Sequence, residues 1–416
     1  MNTPIHIVGG GVAGLVASIA CAEAGADVRL VEAHPYLGGR GTSADGPWKA
    51  NLGPHALYTN TGLYSWLSER SLLPPVVSPR LSLTRMRWHG SRRATLPGPA
   101  FRALGLFRRL DDAPVDASFR DWALAVAPPA AVDIFASLAG VLTFDHDPGR
   151  LSAAFVAERL RRIALRPRPV ARYVVGGWSV LVDALAAGAR SRGVRIETGA
   201  RVDALPEDGP VIVATSLRSA RRLLDDAGLA WTGTRTVLLD VGLTSPRSGR
   251  QPAIIADLDE AGWANRYSAT DPSLAPAGHD LIQSHLGARP GETLDDGVAR
   301  SERLLDVGFP GWRDREVWRR RSLVEDQSGA LDLPGTTWRD RPAVDRGDGV
   351  FVCGDQVAAP GHLAEVSWAS AVEAADLALA GAHVAPGGGA FGARVGPGGG
   401  ASAAQISAAG LRAGRG

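Results

Sequence analysis

Lysine is almost missing from this chain: of its 45 basic residues only Lys49 is one, and every other is arginine. Chemistry that needs a lysine amine therefore has one candidate, while the arginine excess, alongside abundant Ala, Gly and Pro, fits a GC-rich coding bias. Cysteine is nearly as scarce. Cys21 and Cys353 are too few and too far apart for a disulfide framework, and no C-x-x-C pair or Cys/His cluster points to zinc. A reducing, cytoplasmic setting is expected. No uninterrupted apolar run reaches the ~18 residues of a membrane span. The nearest, 122–142, is broken by Pro128, Pro129 and Asp133 and reads as a buried helix with prolines near its N-terminus. No basic segment precedes the apolar start, so export is not expected. The formal charge of +2 is too small to argue for a nucleic-acid partner. With 45% hydrophobic residues in 416, the chain can build a core for two or more domains.

What is present is concentrated at the start. Ile5, Ile7 and Val8 form a short apolar strand, Gly9, Gly11 and Gly14 follow at G-x-G-x-x-G spacing, an apolar helix covers 15–24, and a second strand covers 28–31. Each glycine has a physical reason: Gly9 for the tight turn, Gly11 for close approach of a pyrophosphate to the helix N-terminus, Gly14 for helix–strand packing. Glu32 ends the second strand 18 residues after Gly14, placed to accept hydrogen bonds from an adenosine ribose and to repel a 2′-phosphate. Gly387, Gly389 and Gly392 repeat the spacing, but without a strand before or a helix after them. The first motif alone reads as a Rossmann βαβ unit for a dinucleotide.

Gly38-Gly39-Arg40 and Asn51-Leu52-Gly53-Pro54-His55 follow. Together with the opening they resemble the extended N-terminal signature of the FAD-dependent amine oxidase superfamily, which includes amine oxidases, protoporphyrinogen oxidases and phytoene desaturases. Two later stretches add to the likeness. One is Tyr173-Val-Val-Gly-Gly-Trp178, a helix over 179–192 and a strand over 194–196. The other is Gly349-Val-Phe-Val-Cys-Gly-Asp355, Gly361-His362 and a helix to about Ala380. The resemblance implies an α/β fold, a Rossmann-type FAD-binding domain with an inserted mixed α+β substrate domain. The FAD-binding domain is expected to be discontinuous over 1–79, 173–229 and 340–384, the substrate domain to cover 80–172 and 230–339, and 385–416 to be a disordered tail. The resemblance further implies that Val12, Ala13, Ala33, Gly39, Arg40, Gly53, Pro54, His55, Val202, Gly354, Asp355 and Leu363 contact the cofactor beside Gly9, Gly11, Gly14 and Glu32. Val202 would meet the adenine edge, Asp355 the ribityl or pyrophosphate, and the backbone near Leu363 the flavin C2 carbonyl. Asp355 also reads as a turn or capping acid, and Glu365 either as a dipole-matching acid or as a group near the ring.

Within that family, Lys49 lies in the wrong segment to serve as the lysine many amine oxidases use, and Gly361-His362 lacks their aromatic residue. The pattern looks closer to the phytoene desaturase and protoporphyrinogen oxidase side. The expectation is an FAD-dependent oxidoreductase dehydrogenating a largely apolar small molecule, with oxygen or another electron acceptor. A flavin amine oxidase and a redox-neutral flavoprotein are the alternatives. His362 and His55 are the candidate bases, each weighed against a structural histidine, and Arg85 or Arg87 could hold a carboxylate. Between Arg80 and Arg109 stand eight arginines and no acid, with Phe101, Leu104, Phe107 and Leu110 at three-residue spacing. This reads first as a solvated charged face and second as a basic surface for peripheral membrane contact over 80–110 or for an anionic substrate. Asp145-His146-Asp147, followed by Pro148-Gly149, reads as a polar turn rather than a metal site.

Overall fold

A computed structural model describes residues 3–164, 166, 168–246 and 251–381. The expected tail, 385–416, and the second glycine run within it lie outside the described residues.

The strand Ile5–Val8 is wholly buried and lies at the centre of a five-stranded parallel sheet. Its neighbours are Val28–Glu32 on one side and Val211–Val213 on the other; Arg195–Thr198 and Val350–Val352 form the edges. Three separated stretches of chain thus build one sheet, and the central strands read as short runs of Ile and Val because both faces are covered. The helices Val12–Glu23, Trp178–Ser191 and Ala364–Gly381 supply much of that cover, and their apolar residues share one core with the strands. Cys21 and Cys353 are free thiols inside this core; burial pushes the Cys21 thiol up to about 12, which leaves it protonated.

A second sheet of seven strands, largely antiparallel, runs from the long strand Glu316–Ala330 through Gly233–Thr244, His279–Gly287, Gly262–Arg266 and Ile254–Asp257 to the hairpin Thr84–Trp88 and Ser91–Arg93. Its strands alternate in the manner of a sheet covered differently on its two sides. Val237, Leu239, Val241, Ile255 and Ile282 point to the face closed by Val298, Leu304 and Leu305 of the helix Leu294–Gly308, whose start carries a Thr293–Asp296 capping box. Asp240, Gln283 and Asn265 oppose one another on the other face. The helices Phe119–Leu124, Pro129–Thr143 and Ala153–Arg159 add a third core with the hairpin residue Met86. The 122–142 run, expected as one buried helix, is two: it takes in the end of Phe119–Leu124 and then the largely buried helix Pro129–Thr143, begun at the proline pair. Among the described residues, no helix is long and apolar enough to cross a membrane.

The sequence reading missed two strands of this sheet. Gly262–Arg266 is short, and Glu316–Ala330 carries Arg319, Arg320 and Arg321 in succession. Each arginine meets an acid: Arg319 pairs with Glu302 and Glu316, Arg320 with Asp240, and Arg321 with Asp295. The Asp145–Asp147 turn is likewise held by arginines: Asp145 accepts from Arg150 at 2.6 Å and Asp147 from Arg120 at 3.2 Å. Among the described residues no group of His, Cys, Asp or Glu is arranged to hold a metal.

Candidate functional site

All five strands of the parallel sheet end at one cavity of about 680 Å³. Its wall takes Gly9 from beyond the first strand, Glu32 to His34 from the second, Ala200 to Asp203, Ala214 to Ser216, and Gly354 with Asp355 from beyond the last. The carboxyl edge of an open parallel sheet is where such folds bind ligands. Gly38 to Gly41 form another part of the wall. Pro54, His55, Ala56, Trp178, Leu363, Ala364 and Ser367 complete it.

The glycines sort by what a side chain would meet. Gly9 has φ +110°, and a Cβ on it would lie 2.8 Å from the Ala214 carbonyl oxygen. On Gly14 it would lie 1.9 Å from the Gly9 oxygen, so this glycine packs helix on strand and does not line the cavity. Gly10, which the sequence reading passed over, is equally constrained: a Cβ would meet Leu37 at 2.4 Å. Gly11 differs. Its Cβ would project into open space, nothing nearer than the Gly38 oxygen at 3.9 Å, and Gly39 is similarly open. Gly11 precedes a 12-residue helix that no side chain caps. Free N–H groups at a helix start beside an open floor are a ready seat for an anion. Glu32 stands beside it, its Oε2 accepting from the Gly10 N–H at 2.7 Å and its Oε1 from the His34 N–H at 2.8 Å.

The first and last motifs meet in one contact. The Arg40 guanidinium grips both oxygens of Asp355, at 2.8 and 2.7 Å, and also donates to the Asp326 carbonyl. Asp355 lies in a turn, and its carboxylate is held at the cavity wall by Arg40 rather than capping a helix. Leu363, at φ +55°, and Ala364 bring the start of the 18-residue helix Ala364–Gly381 to the same wall. Gly53 does not line the cavity. Its backbone sits at φ +134°, and its carbonyl accepts from His55 Nδ1 at 2.8 Å.

The two candidate histidines separate. His55 lines the cavity with its ring 4.5 Å from Trp178. Burial lowers its pKa to about 4 against hydrogen bonds to the Gly53 and Arg40 backbone that raise it, so the ring is neutral at pH 7. Because Nδ1 donates to the Gly53 carbonyl, the neutral ring keeps its lone pair on Nε2. His362 requires a correction: it is 3% exposed and absent from the cavity wall. The left-handed turn at Gly361 and Leu363 directs it to Tyr58, at 4.9 Å between rings, with Nδ1 3.5 Å from Glu365. Glu365 in turn accepts from Arg162 at 2.8 Å and from the Gly62 N–H at 3.3 Å, so it too is turned away from the cavity. Arg87 is engaged by Asp257 at 2.9 Å, and Arg85 donates to the adjoining Thr84 carbonyl. Lys49 is exposed.

The end of the cavity carrying His55 is tied to the seven-stranded sheet through Asn51. Its carbonyl accepts from Gln283 at 2.9 Å and Arg320 at 2.6 Å, and its side chain accepts from the Trp178 N–H at 3.1 Å and Ser43 at 2.8 Å. Asp240, fully buried, accepts from the same Gln283 and Arg320. Burial, reinforced by His55 and Arg320, lowers the pKa of the neighbouring His285 to about 3. Asn51 stood within the recognised 51–55 run, yet nothing in its spacing marked it as the hub.

Residues 7–69 match the NAD(P)-binding Rossmann-like domain. No curated protein sequence matches the chain. An oxidoreductase from Methanosarcina mazei superposes with a TM-score of 0.74 at 18% identity, over 90% of this chain and 100% of its own. Cyclohexylamine oxidase from Brevibacterium oxydans does so at 0.68 and 15%, over 92% and 99%. Reduced UDP-galactopyranose mutase gives 0.68 and 15%, over 91% and 96%. At these identities the likeness is one of fold: the chain opens with a Rossmann-like unit and carries it within the architecture shared with cyclohexylamine oxidase and UDP-galactopyranose mutase.

Proposed function

We propose that the cavity holds FAD and that the chain is an FAD-dependent oxidoreductase that dehydrogenates a largely apolar small molecule, with oxygen or another acceptor taking the electrons. The observation that carries this is the cavity itself, which joins the Gly9–Glu32 region, the Arg40–Asp355 pair and the His55–Trp178 corner along one wall. The residues fit the group. Gly11 and Gly39 leave the floor open, the uncapped helix start suits a pyrophosphate, and Glu32 suits a ribose while disfavouring a 2′-phosphate. Val202, Ala33, Val12, Ala13 and Pro54 would complete the contacts.

A bound flavin supplies hydride acceptance. The chain's own part is to orient, shield and manage protons. The start of the helix Ala364–Gly381 brings partial positive charge to the wall beside Leu363, where negative charge is stabilised. His55, neutral and anchored through Nδ1, presents Nε2 as a weak proton acceptor. The sheet face behind it bears Trp263 and His285 in ring contact at 5.0 Å and Tyr173 against Tyr267 at 5.0 Å, while Asp240 is already matched by Arg320. These aromatic, charge-paired surroundings of His55 support an apolar substrate, and the exposed Lys49 argues against a lysine-dependent amine oxidation.

The test is the absorption spectrum of the purified protein, followed anaerobically as polyenes, porphyrinogens or amines are added. Yellow protein bleached by polyenes or porphyrinogens is the expected result. Bleaching by amines alone moves the assignment to an amine oxidase. A yellow protein bleached by none favours redox-neutral chemistry, a reading the fold shared with the mutase keeps in view. Colourless protein that cannot be reconstituted with FAD overturns the proposal.

A further inference from the structure

The segment 80–109 is not used by the site. Of its eight arginines, Arg87 alone lies within ion-pair distance of a carboxylate among the described residues. Arg80, Arg92, Arg93, Arg102, Arg108 and Arg109 are exposed. Of the acids that follow them, Asp111 is held by Arg161, while Asp112 and Asp116 are exposed and leave the segment with a basic excess of cations over carboxylates. Two large apolar side chains are exposed among these cations, Phe101 at 68% and Leu81 at 46%. The hairpin Thr84–Trp88 and Ser91–Arg93 and the turns Gly98–Arg102 and Leu104–Arg108 are anchored from beneath by one core, through Met86, Trp88, Ala100, Ala103, Leu106 and Phe107. The exposed residues stand on the outside of that core.

We propose that this segment docks the protein reversibly on an anionic lipid bilayer, the arginines meeting lipid phosphates and Phe101 and Leu81 entering the headgroup boundary. Unpaired arginines on a folded surface call for anions. Large apolar side chains in their midst call for hydrocarbon beside those anions. A bilayer surface supplies both; duplex DNA supplies phosphates with its bases stacked away inside, which leaves Phe101 unexplained. The absence of a spanning helix among the described residues is compatible with attachment of this kind. The inference is independent of the proposed chemistry, because nothing in its test depends on flavin or substrate.

The experiment is co-sedimentation of the full chain with vesicles of phosphatidylcholine alone and of phosphatidylcholine mixed with phosphatidylglycerol. Binding to the mixed vesicles only, and its reversal by salt, is expected. Combining Arg92→Ser, Arg93→Ser and Arg102→Ser lowers partitioning by on the order of a hundredfold, at roughly fivefold per arginine. Phe101→Ser alone lowers it by roughly tenfold. A charge-matched control away from the segment, Arg190→Ser with Arg221→Ser and Arg339→Ser, retains most of the binding. Circular dichroism and thermal melting confirm that each variant is folded. The proposal is overturned by failure of the unaltered chain to bind mixed vesicles at low salt, by equal losses in the two triple variants, or by preferential binding to duplex DNA.

Discussion

Gly11 and Gly14 belong to one motif and do unlike work, and substitution separates them. Alanine at Gly14 forces a methyl against the Gly9 carbonyl, at 1.9 Å before relaxation. Gly14→Ala is expected to cost about 1–3 kcal/mol of stability, read as a lower urea midpoint. Gly11→Ala meets nothing nearer than 3.9 Å at an ordinary φ of −74°. Its stability is expected to stay within about 0.5 kcal/mol of the unaltered chain. Its affinity for FAD, measured by fluorescence titration of the apoprotein, is expected to fall at least about tenfold, because the methyl occupies the anion seat. Equal stability losses in the two variants would contradict this division. The spacing of the glycines was legible in the sequence; which of them faces a ligand was not, since that depends on Ala214 and Gly38 arriving from elsewhere in the chain. The same holds for His362. It is one residue from a cavity-lining position, and only the left-handed backbone at Gly361 and Leu363 reveals that it points away.

At the scale of elements, the two sheets are joined by polar contacts through Asn51 rather than by apolar packing alone. Arg320 is 23% exposed at its side chain, whereas its partner Asp240 is 1% exposed. Arg320→Met strands that carboxylate, and a loss of about 3 kcal/mol is expected in urea denaturation. Adding Asp240→Asn to it removes the stranded charge and is expected to recover more than half of the loss. No recovery would mean that the arginine acts by packing. Such a contact was illegible because the strand that supplies Arg320 was itself hidden. Consecutive arginines at 319, 320 and 321 give no alternation of apolar and polar residues, and each is balanced by an acid that lies far away in sequence. By contrast, the strand Ile5–Val8 and the helices Val12–Glu23 and Trp178–Ser191 were plain, because an apolar run and flanking glycines decide them without distant help.

The fold as a whole keeps two histidines, His55 and His285, in neutral form. Burial lowers His55 to about 4 and His285 to about 3, from ordinary values near 6.5. Below pH 6.5 the unfolded chain takes up protons that the folded chain refuses. Their contribution to stability is therefore complete above that pH and declines as pH falls, by on the order of 1.4 kcal/mol per pH unit for each histidine. Asp257, raised by burial to about 6, works in the opposite sense. The comparison to make is therefore between variants. Urea midpoints from pH 7 to pH 5 are expected to fall less steeply for His285→Asn than for the unaltered chain; parallel curves would show that His285 titrates normally.

The order in which the parallel sheet is assembled has its own result for biosynthesis. Its edge strand Val350–Val352 and the Asp355 carboxylate come 315 residues after Arg40, the partner that Asp355 grips. At translation rates of about 5–20 residues per second, that interval is roughly 15–60 s. During all of it Arg40 is made and Asp355 is not, although Ile5–Val8 has both its neighbours once Val211–Val213 is out. A ribosome-bound fragment that stops in the seven-stranded sheet has the glycine floor but lacks the wall at Gly354 and Asp355. Loading of the proposed FAD is thus expected at the end of synthesis, and a pulse-labelled nascent chain should gain FAD-dependent protease resistance only once residues beyond 355 have left the exit tunnel.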